Sequence, residues 1–196
     1  MDFTATLRRV LRLILSPSTE WDAIAAEPAE IPQIYMKYAG PLIIASALAT
    51  AIGISVVGGK FIKYPATYAL SSAAVSILLG LFLVYVLAFV INALSSWFGG
   101  TSDMGQAFKL AAYSLTATWI AGLLNIIPAL GNLAMLGAAY SLYLLFVGLP
   151  KLMKPAGEKA VPYTIAVAAV MIVMAVVSAS VASGMLPSMT PIMRAN

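Results

Sequence analysis

Between Tyr68 and Leu94 the chain runs for 27 residues without a single charged side chain. A hydrocarbon core of about 30 Å is crossed by roughly 20 helical residues, so a run of this length is typical of a membrane-spanning helix. Lipid offers the backbone no hydrogen-bond partner, whereas a helix satisfies its own amide and carbonyl groups. At about 1.5 Å per residue the run measures about 40 Å, so we expect this helix to tilt or to begin in the headgroup layer.

Four other apolar runs follow the same pattern, and together the runs predict an all-α membrane protein with five transmembrane helices. The predicted spans are residues 38–57, 68–94, 108–127, 130–149 and 163–182. Of the 196 residues, 62% are hydrophobic and only 9% are charged, whereas soluble domains carry about 25% charged residues. Between the third and fourth spans, residues 128–132 predict a tight turn and hence an antiparallel hairpin.

The spans divide the chain into three regions. We expect an amphipathic arm and a short second helix on the cytoplasmic side over residues 1–36, the five-helix transmembrane domain over residues 37–185, and a short tail over residues 186–196. The tail holds two prolines and one charge, which favours disorder.

The distribution of Lys and Arg orients the predicted bundle, because short cytoplasmic loops carry an excess of these residues. With the N-terminus inside, eight of the 11 Lys and Arg lie on the inner side, and three (Lys60, Lys63 and Arg194) lie on the outer side. The reverse arrangement places eight outside. The pattern therefore predicts a protein of the cytoplasmic (inner) membrane, with its N-terminus in the cytoplasm and its C-terminus outside.

The N-terminal arm differs from the spans, since residues 2–15 are too few to cross a bilayer. At about 100° per residue, one arc of roughly 100° is apolar, and Arg8, Arg9 and Arg12 occupy a separate arc. The apolar arc contains Phe3, Leu7, Val10, Leu11 and Ile14. This pattern favours an amphipathic interfacial helix with its guanidinium groups among phosphates. The alternative is that the apolar face packs on the bundle or on a second subunit.

A second short helix is predicted after Ser16-Pro17, with Trp21 and Ile24 on one face. This segment is acidic, and its carboxylates are Glu20, Asp22, Glu27 and Glu30. Pairing with the basic arm is plausible, but surface ion pairs contribute little. The spacing of the carboxylates matches no oxygen-ligand loop, so we interpret them as a solvated face rather than a divalent-cation site.

The composition also excludes several kinds of chemistry. The chain has no His and no Cys, which removes imidazole acid–base catalysis, thiol nucleophiles, disulfides and thiolate or imidazole metal sites. The net charge of +4 comes from scattered residues and does not indicate a nucleic-acid partner. Asp103 is the only acid between residues 30 and 158. We therefore predict no catalytic, cofactor-binding or metal-binding residues, no cofactor, and no enzyme.

Two sets of residues remain as candidate sites. The first set comprises Arg8, Arg9, Arg12, Lys151 and Lys154, which we expect to contact anionic lipid headgroups. The second set forms small-residue stripes, which let helices approach closely. These stripes are Ala45, Ala49 and Gly53 in the first span, and Ser72, Ser76 and Gly80 in the second. They could pack within the monomer or between subunits. Lys109, near the start of the third span, could extend its side chain to the interface.

Several short motifs, in their order along the chain, resemble the prokaryotic branch of the Yip family. The first is Ser16-Pro17 followed by Trp21, Ile24 and Glu27, and the second is Tyr38-Ala39-Gly40-Pro41. The later ones are Phe98-Gly99-Gly100, then Lys109, Tyr113 and Ser114, then Ile127-Pro128-Ala129-Leu130-Gly131, and finally residues 140–149. The resemblance covers nearly the whole chain and implies a five-span membrane protein.

Two departures limit what the resemblance implies. Eukaryotic members of the family are tied to Rab-GTPase membrane traffic and carry an Asp-Leu-Tyr-Gly-Pro motif, but here Lys37-Tyr38-Ala39 precedes Gly40. GTPase binding is therefore not carried over. Members often have a proline soon after the Tyr-Ser pair, where this chain has Ala117, so the resemblance does not by itself imply a kink in the third span.

These observations favour a non-enzymatic scaffold or adaptor that organises the cytoplasmic membrane. Its expected partners are the lipid bilayer and its anionic headgroups, with a membrane-protein partner or a second copy as further possibilities. The alternative is a channel or carrier for a small solute, built as a homo-oligomer. Uncharged Ser, Thr and Asn side chains would then have to supply its polar path, since the interiors of the predicted spans contain no Asp, Glu, Lys or Arg.

Overall fold

The computed structural model describes residues 3–58, 62–185 and 192–193. Two helices, α1 (Phe3–Leu15) and α2 (Pro17–Ala26), form the arm. The longer helices are α3 (Ile31–Val57), α4 (Ala66–Ser95), α5 (Met104–Ile126), α6 (Pro128–Met153) and α7 (Gly157–Met185). Two short strands, β1 (Ile62–Lys63) and β2 (Ile192–Met193), pair antiparallel, with Ile62 opposite Met193.

The helices α3 to α7 are each long and apolar enough to cross a membrane, which confirms the prediction of five spans. The first begins at Ile31 rather than Tyr38, because Pro32 fits the opening turn of a helix and the segment Tyr35–Ala39 continues it as a π-helical turn. Residues 31–36, which we assigned to the arm, are therefore continuous with the helix of the first span. The predicted tail lies outside the described residues except for 192–193.

The predicted turn between the third and fourth spans is shorter than expected. Ile127 alone separates α5 from α6, and its extended backbone is the conformation that a following proline favours. Residues 128–132, predicted as the turn, belong to a 3₁₀ segment, Pro128–Leu133, that opens α6. The two spans pack closely, since a Cβ at Gly137 would collide with Ala121 and with the Ala117 carbonyl.

The bundle has one end that carries the arm, and we call it the arm end. Contacts there include a hydrogen bond from the Thr101 amide to the Met153 carbonyl (2.7 Å) and one from Lys151 Nζ to the Ser18 carbonyl (2.7 Å). Every charged residue of α3 to α7 lies within about two turns of this end. These residues are Lys37, Lys109, Lys151, Glu158 and Lys159. The opposite end holds the junction between α5 and α6 and the two strands.

The arm shares the core of the bundle. Val10, Leu13, Trp21 and Ile24 are buried in the same apolar cluster as the interior of the spans. The face of α1 that packs on the bundle is centred on Val10 and Leu13. The alternative prediction, that the apolar face of the arm packs on the bundle, therefore holds for part of the helix. A different stripe remains open, because Leu7, Leu11 and Leu15 are 46%, 48% and 76% exposed.

Helix α5 is interrupted near its middle although it contains no proline. Helical geometry breaks between Met104–Ser114 and Thr116–Gly122. The amide of Thr118 donates to Ser141 Oγ on α6 (3.1 Å). Because a hydroxyl from the neighbouring span satisfies this amide, the break is tolerated at membrane depth without proline.

Small residues mediate the contact between α3 and α4, but with a different register from the predicted stripes. Ala47 and Ala51 of α3 pack with Ala69 and Ala73 of α4. Of the predicted stripes, Ala49 and Gly53 are buried, Ser72 and Gly80 are half-buried, and Ala45 and Ser76 are exposed. Gly53 faces the Asn125 backbone at the end of α5, and Gly80 faces Ile43 of α3.

Candidate functional site

A polar cavity of about 340 Å³ lies at the arm end, between α1, the α2–α3 connection, the first turns of α3 and the first turns of α5. Its charged lining residues are Arg9, Glu27, Glu30, Lys37 and Lys109. Two further cavities, described below, have fewer charged lining residues. We therefore take this cavity, which we call the arm-end cavity, as the candidate site.

Arg9 holds α1 against the rest of the arm. Its two terminal nitrogens donate to the two carboxylate oxygens of Glu27 at 2.9 and 2.6 Å, and its Nε lies 3.2 Å from Glu20 Oε1. The guanidinium also sits 5.5 Å from the centroid of the Tyr113 ring. Burial lowers the pKa of Arg9, but the hydrogen bond to Glu27 and the charge interactions with Tyr113, Glu27 and Glu20 together outweigh it and raise the pKa above its ordinary value. The group is therefore permanently charged.

Glu20 is the most enclosed carboxylate of the site. Its side chain is only 5% exposed, and it also lies 3.9 Å from Arg12 Nη1. We expected the basic and acidic segments to pair only weakly, as exposed charges do. The structure corrects this, because bidentate and charge-assisted contacts in partly buried surroundings are stronger than surface pairs.

Lys109 is buried rather than extended to the interface. It is 1% exposed, and its Nζ donates to the carbonyl of Ile24 (2.7 Å), the carbonyl of Glu27, and Gln106 Oε1 (3.3 Å). Those carbonyls belong to the end of α2, where a helix leaves carbonyl groups unpaired and carries partial negative charge. Lys109 therefore caps α2 from inside the bundle.

Aromatic rings form the wall behind these charges. Tyr113 stands edge-on to Trp21 (6.4 Å between ring centroids) and to Tyr38 (4.6 Å). The Tyr38 hydroxyl is hydrogen-bonded to Thr116 Oγ1 at 2.8 Å, next to the break in α5. Trp21 lies directly over Gly148 of α6, where a Cβ would come within 2.5 Å of the indole. The wall thus connects the arm to three spans.

Lys151 fastens α2 to α6 on the other side of the arm. Its Nζ lies 2.7 Å from Asp22 Oδ1 and donates to the carbonyl (2.7 Å) and the hydroxyl (3.0 Å) of Ser18. A smaller cavity of about 130 Å³ lies beside it, lined by Asp103, Gln106 and Lys154 among others. Asp103 is also the N-cap of α5, accepting from the amides of Gly105 (2.8 Å) and Gln106 (3.0 Å).

In the structure, the five basic residues that we predicted to contact lipid headgroups fall into two groups. Arg9 and Lys151 are engaged by carboxylates of the arm. Arg8, Arg12 and Lys154 are exposed. The exposed side of α1 accordingly has two parts, the leucine stripe of Leu7, Leu11 and Leu15 and a basic edge formed by Arg8 and Arg12.

The arrangement is suited to holding elements together and to presenting charge. Its cations are bound by carboxylates, backbone carbonyls or amide oxygens. Among the described residues, no three Asp or Glu side chains are placed to share a metal ion. Trp21 Nε1 and Ser114 Oγ are buried without a hydrogen-bond partner in the part of the chain that the structure describes.

Sequence reasoning did not identify Glu20, Glu27, Lys109 and Tyr113 as members of one site. The signal was present in the motifs that carry the family resemblance, since Trp21, Ile24 and Glu27 come from one motif and Lys109 and Tyr113 from another. Periodicity alone does not show that these motifs meet, because Lys109 and Ile24 are 85 positions apart.

A family model described as Yip1 domain matches residues 11–178. The matched segment contains the last turn of α1, all of α2 to α6, and most of α7. Neither a curated protein nor a solved structure matches the chain. The match spans most of the sequence and agrees with the five apolar helices. The chain therefore belongs to the Yip1 domain family and is an integral, multi-pass membrane protein.

Proposed function

We propose that this protein is a non-enzymatic scaffold or adaptor that organises the cytoplasmic membrane, with its arm end on the cytoplasmic side. The observation that carries the proposal is the surface of α1. One face of this helix is fixed to the bundle through Arg9, Val10 and Leu13, while Leu7, Leu11 and Leu15 remain exposed beside Arg8 and Arg12. An exposed leucine stripe flanked by arginines is the pattern of a helix that lies in a membrane surface.

The charges at the arm end support the same proposal. Lys154 and Lys159 are exposed at this end together with Arg8 and Arg12. Each cation near an anionic leaflet contributes about 1 kcal/mol of attraction. We infer that anionic headgroups bind here, and that the excess of Lys and Arg places this end in the cytoplasm.

The spans support a structural role over ion-coupled transport. Transport of an ion or proton usually requires an ionisable group within the membrane, and the charged residues of α3 to α7 lie within about two turns of the arm end. A scaffold needs only the bundle, the arm and a partner. We infer that the partner is anionic lipid together with another membrane protein or a second copy.

The interfacial position of α1 can be tested with a fluorophore, because the chain contains no cysteine. An environment-sensitive dye is attached to Leu11→Cys in the full-length protein. The labelled protein is placed in nanodiscs of neutral lipid alone and in nanodiscs of neutral and anionic lipid. We expect blue-shifted emission that increases with anionic lipid and decreases in Arg8→Gln with Arg12→Gln. Dye at Thr19→Cys, an exposed position of α2, is the control. Equal, water-like emission at both positions would contradict the proposal.

The scaffold and the channel or carrier differ in what they do in isolation. Cross-linking in native membranes at native expression should recover a lipid or protein partner, and recovering none would count against a scaffold. Proteoliposomes that hold only this protein should show no solute-specific flux. A reproducible flux of one solute would establish the channel or carrier instead.

A further inference from the structure

A second cavity, of about 280 Å³, lies at mid-depth of the bundle between α4, α5, α6 and α7, and we call it the mid-depth groove. Its lining includes Leu83 and Leu87 from the middle of α4 and Met171 and Ala175 from the middle of α7. Both positions are far from the charged residues at the arm end. The groove is therefore surrounded by the hydrocarbon layer.

The groove lies where α7 packs only partly on the bundle, since Ala168, Met171 and Met174 are only partly buried against the core. At the arm end, the Tyr163 hydroxyl donates to the Ile91 carbonyl, and its ring stacks on Phe98 with 4.8 Å between centroids. Beyond Val167, no residue of α7 as described is buried. Small side chains at Ala138 and Ala175 leave the resulting space unfilled. Leu87 and Trp119, 1% and 8% exposed, close its inner side.

The chemistry of the lining is that of a hydrocarbon site. No charged residue lines the groove. The Thr118 amide and hydroxyl both contact Ser141 Oγ, at 3.1 and 2.9 Å, so these groups are already paired. Water in such a space would find few hydrogen-bond partners, and the same holds for a polar solute. Met171 and Met174 add flexible, polarizable side chains that adapt to a chain of variable shape.

We propose that the mid-depth groove binds one acyl chain of a membrane lipid. An empty groove would deprive its lining of dispersion contacts, whereas hydrocarbon from the surrounding bilayer supplies them. This site is independent of the proposed scaffold role and would exist in a channel as well.

The test uses full-length protein in liposomes of phosphatidylcholine that carries a photoreactive diazirine midway along one acyl chain. After illumination, mass spectrometry locates the lipid adducts. We expect adducts on the groove residues Leu142, Met171 and Met174 to exceed several-fold those on Val173 and Val176, which are about 60% exposed but lie outside the groove. Equal labelling of the two groups would overturn the proposal.

A variant in which the groove is filled provides a second test. Ala138→Phe combined with Ala175→Phe places two rings in the groove and should reduce its adducts several-fold. The matched control, Ala139→Phe with Ala179→Phe, alters exposed alanines of the same two helices outside the groove and should leave the adducts unchanged. Undiminished labelling of the filled variant, or protein–protein cross-links through the groove residues, would overturn the proposal. If the double variant aggregates, two results decide the question: the distribution of adducts on the wild-type protein, and the adducts on the single variant Ala175→Phe.

Discussion

Lys109 shows how one buried cation connects segments that are distant in the sequence. Its ammonium group has three donors, and these go to two carbonyls at the end of α2 and to Gln106. The partial negative charge of the α2 terminus helps to compensate this charge, and the carboxylates of Glu27 and Asp103 also attract it. The same contact fixes where the arm ends and where the first span begins.

Lys109→Met is expected to destabilise the protein. The substitution keeps most of the apolar stem but removes the Lys109 donor from two carbonyls. The Glu27 carbonyl loses its contact with the ammonium group, and the Ile24 carbonyl keeps only the Glu27 amide. Loss of such a donor costs about 1–3 kcal/mol. The midpoint of thermal unfolding in detergent should fall accordingly. Lys159→Met removes an exposed lysine and should change the midpoint little. Equal midpoints for both variants would show that Lys109 does not cap α2.

Gly148→Ala should loosen the arm by a different route. A Cβ at this position would lie 2.5 to 2.8 Å from three atoms of the Trp21 indole, and a rigid ring cannot yield as a flexible side chain does. Overpacking of this kind costs about 1–3 kcal/mol, measurable as a lower unfolding midpoint. Gly184→Ala, where nothing lies within 4 Å of the added Cβ, is the matched control and should not lower the midpoint.

At the scale of the element, α1 has three sides that differ in burial and charge. One side packs on the core through Val10 and Leu13, a second exposes leucines, and a third exposes Arg8 and Arg12. Arg9 lies at the border of the packing side, which is why it pairs with Glu20 and Glu27 rather than with solvent. The helix can therefore stay docked while its other sides contact a membrane.

Arg9→Gln should release α1 from the bundle, whereas Arg8→Gln should not. Hydrogen bonds to charged groups contribute about 1.5–3 kcal/mol, and each 1.4 kcal/mol changes an opening equilibrium tenfold. A Val10→Cys reporter, at a position that is 3% exposed, should then react with a maleimide about tenfold faster or more in the Arg9→Gln background. An unchanged rate would mean that apolar packing alone holds the helix.

At the scale of the whole molecule, the five spans could be predicted because uncharged apolar length is a local property of the sequence. The arm-end cavity could not, because its lining comes from α1, the α2–α3 connection, α3 and α5. The helical arc that Arg8, Arg9 and Arg12 share does not reveal that one of them faces Glu27. Likewise, the break in α5 depends on Ser141 of the neighbouring span, so the absence of proline at Ala117 was not informative.

The alternation of five spans leads to the final prediction, which concerns the sidedness of the molecule. Ser18 and Lys154 lie at the arm end, and Ala129 lies at the opposite end, between α5 and α6. In a chain without cysteine, Ser18→Cys and Lys154→Cys should be labelled by an impermeant maleimide only after the cytoplasmic side is opened. Ala129→Cys should be labelled in intact cells. Labelling of Lys154→Cys in intact cells together with Ala129→Cys would contradict the five-span arrangement. If Ser18→Cys and Lys154→Cys were both labelled from outside while Ala129→Cys was protected, the five-span arrangement would stand but its orientation would be reversed. The excess of Lys and Arg would then lie outside, against the rule on which the orientation was predicted.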